Sequence, residues 1–359
     1  MKIAVLGAAQ TKFGELWDKS LGDLLAESQL AALADAGIKP IQIDAIFTGN
    51  MCAGLFENQL NLGGMASEIL NINVESTVVE GACASGGLAL RAGIRAIESG
   101  QAKIVLVNGV EKMTDISCEG GSGECVASGL MAAASQETEY FHGATFPALN
   151  AMLARLYMET YGLTREQLAC VSVQNHANGF LNPHAHLRKK ITIDHVINAQ
   201  VIADPLTMLD CSPVSDGAAS IVLCSEQIAE NFTQNPVFII GSGQASDTLQ
   251  LCARDDLLSW KATQLAAKQA YGQAGVGPRN IDLAEIHDGF SIVQILALED
   301  LGFFEKGTAG KAIEAGEISL NSKLSINPSG GLKSKGHPVG ATGVGQAVEI
   351  VQQLRSNCG

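Results

Sequence analysis

Three short segments of the chain hold residues able to do chemistry. The first is Glu80-Gly-Ala-Cys83-Ala-Ser-Gly-Gly87, set between a run that reads as a strand (77–80) and one that reads as a helix (88–98). A cysteine just ahead of a helix feels the partial positive charge of the helix N-terminus, which favours thiolate, and glycines permit a sharp turn and close approach of a ligand. These are conditions for a nucleophile. The same residues would also suit a small buried hydrophobe in a tight turn.

The second segment is Glu285-Ile286-His287-Asp288-Gly289-Phe290, at the end of a run that reads as a strand (281–286). Imidazole can donate, accept or hold a water beside a carbonyl. Asp288 could orient it or begin the next helix. The third is the glycine-rich stretch Asn327 to Gly343, in which His337 stands between Gly336 and Pro338 ahead of a helix predicted over 344–354. Its backbone is restrained, and the glycines leave room beside the ring. Read alone, either histidine could equally be a satisfied loop residue.

An internal repeat positions these segments. Ile3-Ala-Val-Leu-Gly7 and Gln10 are echoed by Phe238-Ile-Ile-Gly241 and Gln244, with glycine and glutamine displaced by 234. Ala36-Gly37, Pro40 and Ile43-Asp44 recur as Ala274-Gly275, Pro278 and Ile281-Asp282, displaced by 238. Each copy reads as strand, Ala/Leu-rich helix (about 21–36 and 259–274), Gly/Pro turn and second strand. The continuous apolar run 103–110 predicts a central strand covered on both faces, and 218–224 another. Alternating strands and helices give an α/β class. Between the copies, 113–215 has no counterpart; it begins Gly/Ser-rich at 119–123, then predicts a helix over 148–161 and another after Thr164-x-x-Gln167, a capping-box pattern. The expected organisation is an N-terminal half (1–112 with 216–234), an inserted substrate-covering subdomain (113–215) and a C-terminal half (235–359).

Composition narrows the class. With 359 residues, 47% hydrophobic and 17% charged, the chain can bury a large core. Its net charge of -14 argues against a nucleic-acid binder. Nine scattered cysteines without a CxxC pair fit reduced thiols better than disulfides or zinc. His176, His184, His186 and His195 lack a flanking carboxylate pattern, so no metal is expected. No 18-residue apolar stretch occurs, the first strand is too short for a signal peptide, and the last residues are not a peroxisomal address. A soluble cytoplasmic protein, not bound to membrane, is the expectation.

The three motifs in this order resemble the thiolase family. Gly-Ala-Cys83-Ala-Ser-Gly-Gly resembles its nucleophile motif, His287-Asp-Gly-Phe its HDxF motif, and Gly336-His337-Pro-Val-Gly-Ala-Thr-Gly its GHPxGATG motif. Ala203-Asp-Pro-Leu and Asp210-Cys-Ser-Pro-Val-Ser-Asp-Gly-Ala-Ala219 match further family segments, so the resemblance runs from residue 3 to about 354. HDxF places the chain nearer the sterol-carrier-protein and archaeal acetoacetyl-CoA thiolases than the classical biosynthetic ones.

The resemblance implies a thiolase fold: two similar α/β halves in a layered α-β-α-β-α core with an inserted loop subdomain. It implies an acyl-CoA C-acyltransferase forming or cleaving a 3-ketoacyl-CoA such as acetoacetyl-CoA through an acyl-Cys83 thioester. His337 would deprotonate Cys83 and, with a water near His287, form an oxyanion hole; the Cys83 amide would belong to a second. Ser212, Gly289, Phe290 and Gly340 would contact substrate. No cofactor is permanently bound; coenzyme A and acyl-CoA are substrates, and Arg188-Lys189-Lys190 could meet CoA phosphates or form a solvated turn. The family pairs through the strand at 75–80, implying a homodimer or homotetramer. Archaeal relatives work with an HMG-CoA synthase and a small bridging protein, so an acyltransferase with a non-CoA acceptor and partner subunits is the alternative.

Two features depart from the family pattern. Glycine stands at 289 where sterol-carrier-protein thiolases often carry a cysteine, which leaves the acid/base of the carbanion step unassigned. The second half lacks its closing strands, so a truncated or naturally short, catalytically silent subunit is a further expectation.

Overall fold

The computed structural model describes residues 2–116, 122–232 and 236–358. Its strands are β1 (Ile3–Gln10), β2 (Ala45–Gly49), β3 (Glu75–Val79), β4 (Ile104–Glu111), β5 (Val201–Ala203), β6 (Leu206–Thr207), β7 (Gly217–Ser225), β8 (Val237–Ile239), β9 (Leu283–Ala284) and β10 (Ser325–Ile326). The principal helices are α1 (Leu21–Ala36), α2 (Ser85–Glu98), α3 (Phe146–Tyr161), α4 (Arg165–Leu181), α5 (Lys261–Ala274), α6 (Ser291–Asp300), α7 (Gly331–Lys335) and α8 (Val339–Leu354). Two compact units result: Met1–Ser122 with Val214–Ile240 and His337–Gly359, and Gly123–Pro213 with Gly241–Gly336.

The first unit is built on a sheet of order β3-β2-β4-β7-β1-β8. β2 runs parallel to β3 and β4, whereas β7 is antiparallel to β4 and β1, and β8 antiparallel to β1. Successive strand side chains point to opposite faces. Leu6, Ile46, Leu106 and Val222 therefore share a core with Leu24, Leu25 and Leu33 of α1. Val5, Phe47, Val107 and Ile221 share another with Ile94 and Ile97 of α2 and Val344 and Val348 of α8. Every residue of β4 is buried, as its continuous apolar run predicts.

Local signals set the helix ends. Ser20 caps α1 by accepting from the Asp23 amide at 3.1 Å, and Gly37 ends it in the left-handed conformation. α8 begins five residues earlier than predicted. Its glycines are no breakers here, because they let the helix press backbone to backbone: a Cβ on Gly343 would meet Gly86 and Gly87, and one on Gly340 would meet Gly49 and Asn50.

The second unit has one core shared by the inserted segment and the chain after Gly241. Leu153 and Tyr157 of α3 and Leu168 and Val171 of α4 pack with Ile292, Ile295 and Leu296 of α6 and with Ile326. The predicted capping box starts α4, with Thr164 and Gln167 bonded reciprocally. The strand expected over 281–286 shrinks to β9, paired in parallel with β10. Beyond it the ladder is replaced by a side chain: the Ile286 amide donates to Asn327 Oδ1 at 2.7 Å.

Residues 119–121 of the Gly/Ser-rich stretch fall outside the described residues. Cys125 is disulfide-bonded, which corrects the expectation of reduced thiols throughout. Cys52, Cys83, Cys170, Cys211, Cys224, Cys252 and Cys358 are free. Among the described residues no helix is long and apolar enough to cross a membrane.

Candidate active site

In the first unit, Cys83 sits on the 3-10 turn Ala82–Ala84 between β3 and α2. Ala82 precedes it at φ 52°, a left-handed conformation that is disfavoured for a residue with a Cβ. Hydrogen bonds hold the turn from both ends. The Ala82 amide donates to Glu80 Oε1 at 2.6 Å, the Gly81 amide to Ser85 Oγ at 3.0 Å, and the Ser85 hydroxyl to Ala82 O at 2.6 Å.

The thiol is not pre-ionised, contrary to the expectation from the helix terminus. Burial, reinforced by the charge of Glu111, pushes it up to about 12. A base is therefore required, and the same unit supplies one: a ring nitrogen of His337 and Cys83 Sγ lie within 4.8 Å.

The tautomer of His337 follows from its neighbours. Nδ1 is 2.7 Å from Thr342 Oγ1, and that hydroxyl is 3.0 Å from Pro338 O. A carbonyl can only accept, so the threonine proton points to Pro338 and Nδ1–H donates to Thr342. Nε2 is left as the basic nitrogen. His337 is 8% exposed, and Gly336 just before it has φ 111°, open to glycine alone.

Gly340 is not exposed to substrate as expected. It is buried, with an added Cβ falling 2.7–2.8 Å from Asn50 Cα, Val110 O and Gly49 O, and its amide donates to Glu111 Oε2 at 3.0 Å. It is a packing glycine.

In the second unit, His287 follows β9. Burial lowers it to about 4, so it is a neutral imidazole at physiological pH. Asp288 does not begin the next helix, α6, whose N-cap is Phe290; its carboxylate instead accepts from the Leu332 amide at 2.6 Å and the Lys333 amide at 3.3 Å in the later α7, and from Asn175 Nδ2 at 2.6 Å. Asn327 secures the other side, bonded to the Ile286 amide and, at 3.1 Å, to Gln294 Oε1. The buried Lys333 ammonium donates to Asp210 O.

The predicted positions Ser212, Gly289 and Phe290 come together. The Ser212 amide donates to Gly289 O at 2.9 Å, and Cys211 bridges to Phe290. A Cβ on Gly289 would lie 3.0 Å from His287 Nε2, so the glycine keeps that nitrogen clear. Two histidines weighed as metal ligands are locally engaged: His176 Nδ1 with Lys189 O at 3.0 Å, and His195 Nδ1 with the Thr192 amide at 3.2 Å. In the basic cluster, Arg188 donates to Phe180 O and Lys190 stands over the Phe180 ring.

Glu111, Thr342, Asn175, Asn327 and Lys333 were not anticipated. Thr342 was visible as the hydroxyl of the GATG segment, and Glu111 as a charge closing an apolar run. The arrangement offers a thiol with a correctly tautomerised base in one unit and a neutral imidazole on a pinned loop in the other. A covalent acyl-transfer chemistry uses such groups.

The family described as "Thiolase, N-terminal domain" matches residues 3–227, and "Thiolase C-terminal domain-like" matches 243–359. The chain is 49% identical to acetyl-CoA acetyltransferase of Methanothermobacter thermautotrophicus, over 99% of its length and 92% of the relative's. It is 43% identical to acetyl-CoA acetyltransferase of Methanocaldococcus jannaschii, over 99% and 90%. A solved structure described as "Ltp2-ChsH2(DUF35) aldolase" superposes with a TM-score of 0.85 at 26% identity, over 99% of this chain and 91% of that one. The chain belongs to the thiolase family, with its fold, and is an acyltransferase of that type.

Proposed function

We propose that the chain is an acetyl-CoA C-acetyltransferase that forms and cleaves acetoacetyl-CoA through an acetyl-Cys83 thioester. The observation that carries this reading is the pairing of Cys83 with His337 in the tautomer that leaves Nε2 basic. Nε2 takes the thiol proton, and the sulfur attacks the thioester carbonyl of acetyl-CoA. The C–S bond to CoA breaks, and the proton on His337 passes to the departing CoA sulfur. The acetyl group then goes to the carbanion of a second acetyl-CoA or, in reverse, CoA takes up an acyl group. By the family resemblance the Cys83 amide and His337, with a water near His287, receive developing oxyanions; such donors are typically worth about 3–4 kcal/mol each. A neutral His287 suits that role. Ser212, Gly289 and Phe290 line the substrate. The enzyme is cytoplasmic and homodimeric, pairing through the exposed edge strand β3, and its sequence halves descend from one repeat.

Incubation with acetyl-labelled acetyl-CoA and peptide mapping tests this: label on Cys83 and acetoacetyl-CoA in solution are expected. A folded protein that takes no label at Cys83 sinks the proposal. The likeness to the two-component DUF35 aldolase structure favours a second reading, in which the acyl acceptor is not CoA and a partner subunit helps to bind it. Label on Cys83 without acetoacetyl-CoA would select it.

A further inference from the structure

Glu111 closes β4 with a fully buried carboxylate. Among the described residues no cation pairs with it; the neighbouring Lys112 pairs with Asp115 and Asp216. Asn50 Nδ2 at 2.8 Å and the Cys52 amide at 2.9 Å reach Oε1. The Met51 and Gly340 amides, both at 3.0 Å, reach Oε2. The Asn50 amide cannot be reversed, because its Oδ1 accepts from the Ala53 amide at 3.0 Å and its Nδ2 also donates to Val110 O at 2.8 Å. All four groups around Glu111 are therefore donors. A protonated acid would need an acceptor and finds none among them, so the geometry favours the carboxylate although burial pushes the group up to about 7.

These bonds join three segments: the turn after β2, the end of β4 and the first turn of α8, where Gly340 lies just beyond His337. The charge also acts on two thiols of the same unit, Cys83 on the turn before α2 and Cys52 after β2. Glu80 at the end of β3 acts on Cys52 in the same direction, and His337 is the base that approaches Cys83.

We propose that Glu111 is a positioning residue that anchors the His337 loop through Gly340 and, by its buried charge, keeps Cys83 a thiol until His337 accepts the proton. The enzyme is thereby spared a standing thiolate, and ionisation is confined to the acylation step. The inference rests on Cys83 being the nucleophile, but its test requires no turnover.

The test is alkylation of Cys83 by iodoacetamide from about pH 6 to about pH 10, followed by peptide mass so that Cys52 is scored separately. Glu111→Gln removes the charge and is expected to raise the alkylation rate about tenfold throughout this range, which lies below the midpoint of the thiol in both proteins. Glu111→Asp keeps the charge but shortens the reach, so the wild-type alkylation profile persists while acetylation of Cys83 slows. A folded Glu111→Gln protein with the wild-type profile overturns the proposal. Should that variant not fold, Asn50→Ser withdraws one donor from the carboxylate and must also raise the alkylation rate; an unchanged rate there overturns it equally. A raised alkylation rate in a protein that takes no acetyl label would overturn the acetyltransferase reading and the acylation role with it, leaving only the effect of the Glu111 charge on the Cys83 thiol.

Discussion

His337 Nδ1 stands 2.7 Å from Thr342 Oγ1, and the onward bond from that hydroxyl to Pro338 O decides which nitrogen of the histidine can act as base. The protein sets a protonation pattern with a neutral hydroxyl and a main-chain carbonyl. Thr342→Val removes the hydroxyl at nearly constant volume. The rate of Cys83 acetylation, followed by rapid quench, is expected to fall about 100-fold, the lower range for loss of a positioned base. Thr342→Ser should recover most of it, and equal rates in the valine variant and wild type would refute the assignment.

His287 makes a prediction about stability. Its folded-state value of about 4 lies below the ordinary 6.5. Between those values the unfolded chain takes up a proton that the folded chain refuses, so this contribution to stability is complete above about pH 6.5 and is lost as pH falls towards about 4. His287→Asn has no titrating ring. Melting temperatures across this window should decline less steeply in the variant than in wild type, since contributions common to both, including that of Glu111, cancel in the comparison. Parallel curves would contradict the assignment.

Gly289 keeps space beside His287 Nε2, which a Cβ would approach to 3.0 Å. Gly289→Val is expected to turn the ring and cut acetoacetyl-CoA formation about 100-fold, as misplacement of a reacting group does. Thermal stability should change little. Nitrogen-detected NMR of the ring would show the displacement, and an unshifted resonance with native turnover would count against it.

Gly340→Ala would drive a methyl to 2.7–2.8 Å from backbone atoms of Gly49, Asn50 and Val110. None of these is the end of a flexible side chain. A loss of about 3 kcal/mol, the upper end for overpacking, is expected in urea unfolding, and a loss below about 1 kcal/mol would show that α8 can shift outward.

Much of this was legible before any coordinates. The Gly7 and Gly241 echo has a packing cause: each glycine faces a helix so closely that a Cβ would collide, at Ala32 and Ala36 of α1 and at Ala270 and Ala274 of α5. The two strands that carry the repeat pair with each other, Ile3 opposite Ile239. Such constraints act on single residues and leave a mark in sequence.

What was missed depends on distant partners. Nothing local marks Lys112 or Lys333 for burial, yet Lys112 is buried against Asp216 and the Lys333 ammonium donates to Asp210 O, because their acceptors come from segments about a hundred residues away. The helix-terminus argument for a Cys83 thiolate failed for a related reason: it counted a local dipole and omitted burial and the charge of Glu111. The predicted start of α8 at 344 leaves out Gly340 and Gly343 because the backbones these glycines admit lie elsewhere in the chain.

The left-handed Ala82 ahead of Cys83 has a consequence for improvement of the enzyme. Glycine there would remove a conformational cost of about 1 kcal/mol, so a screen for heat resistance should favour it. The elbow would slacken, and the sulfur would sample more directions. Endurance and speed thus pull this one residue in opposite directions.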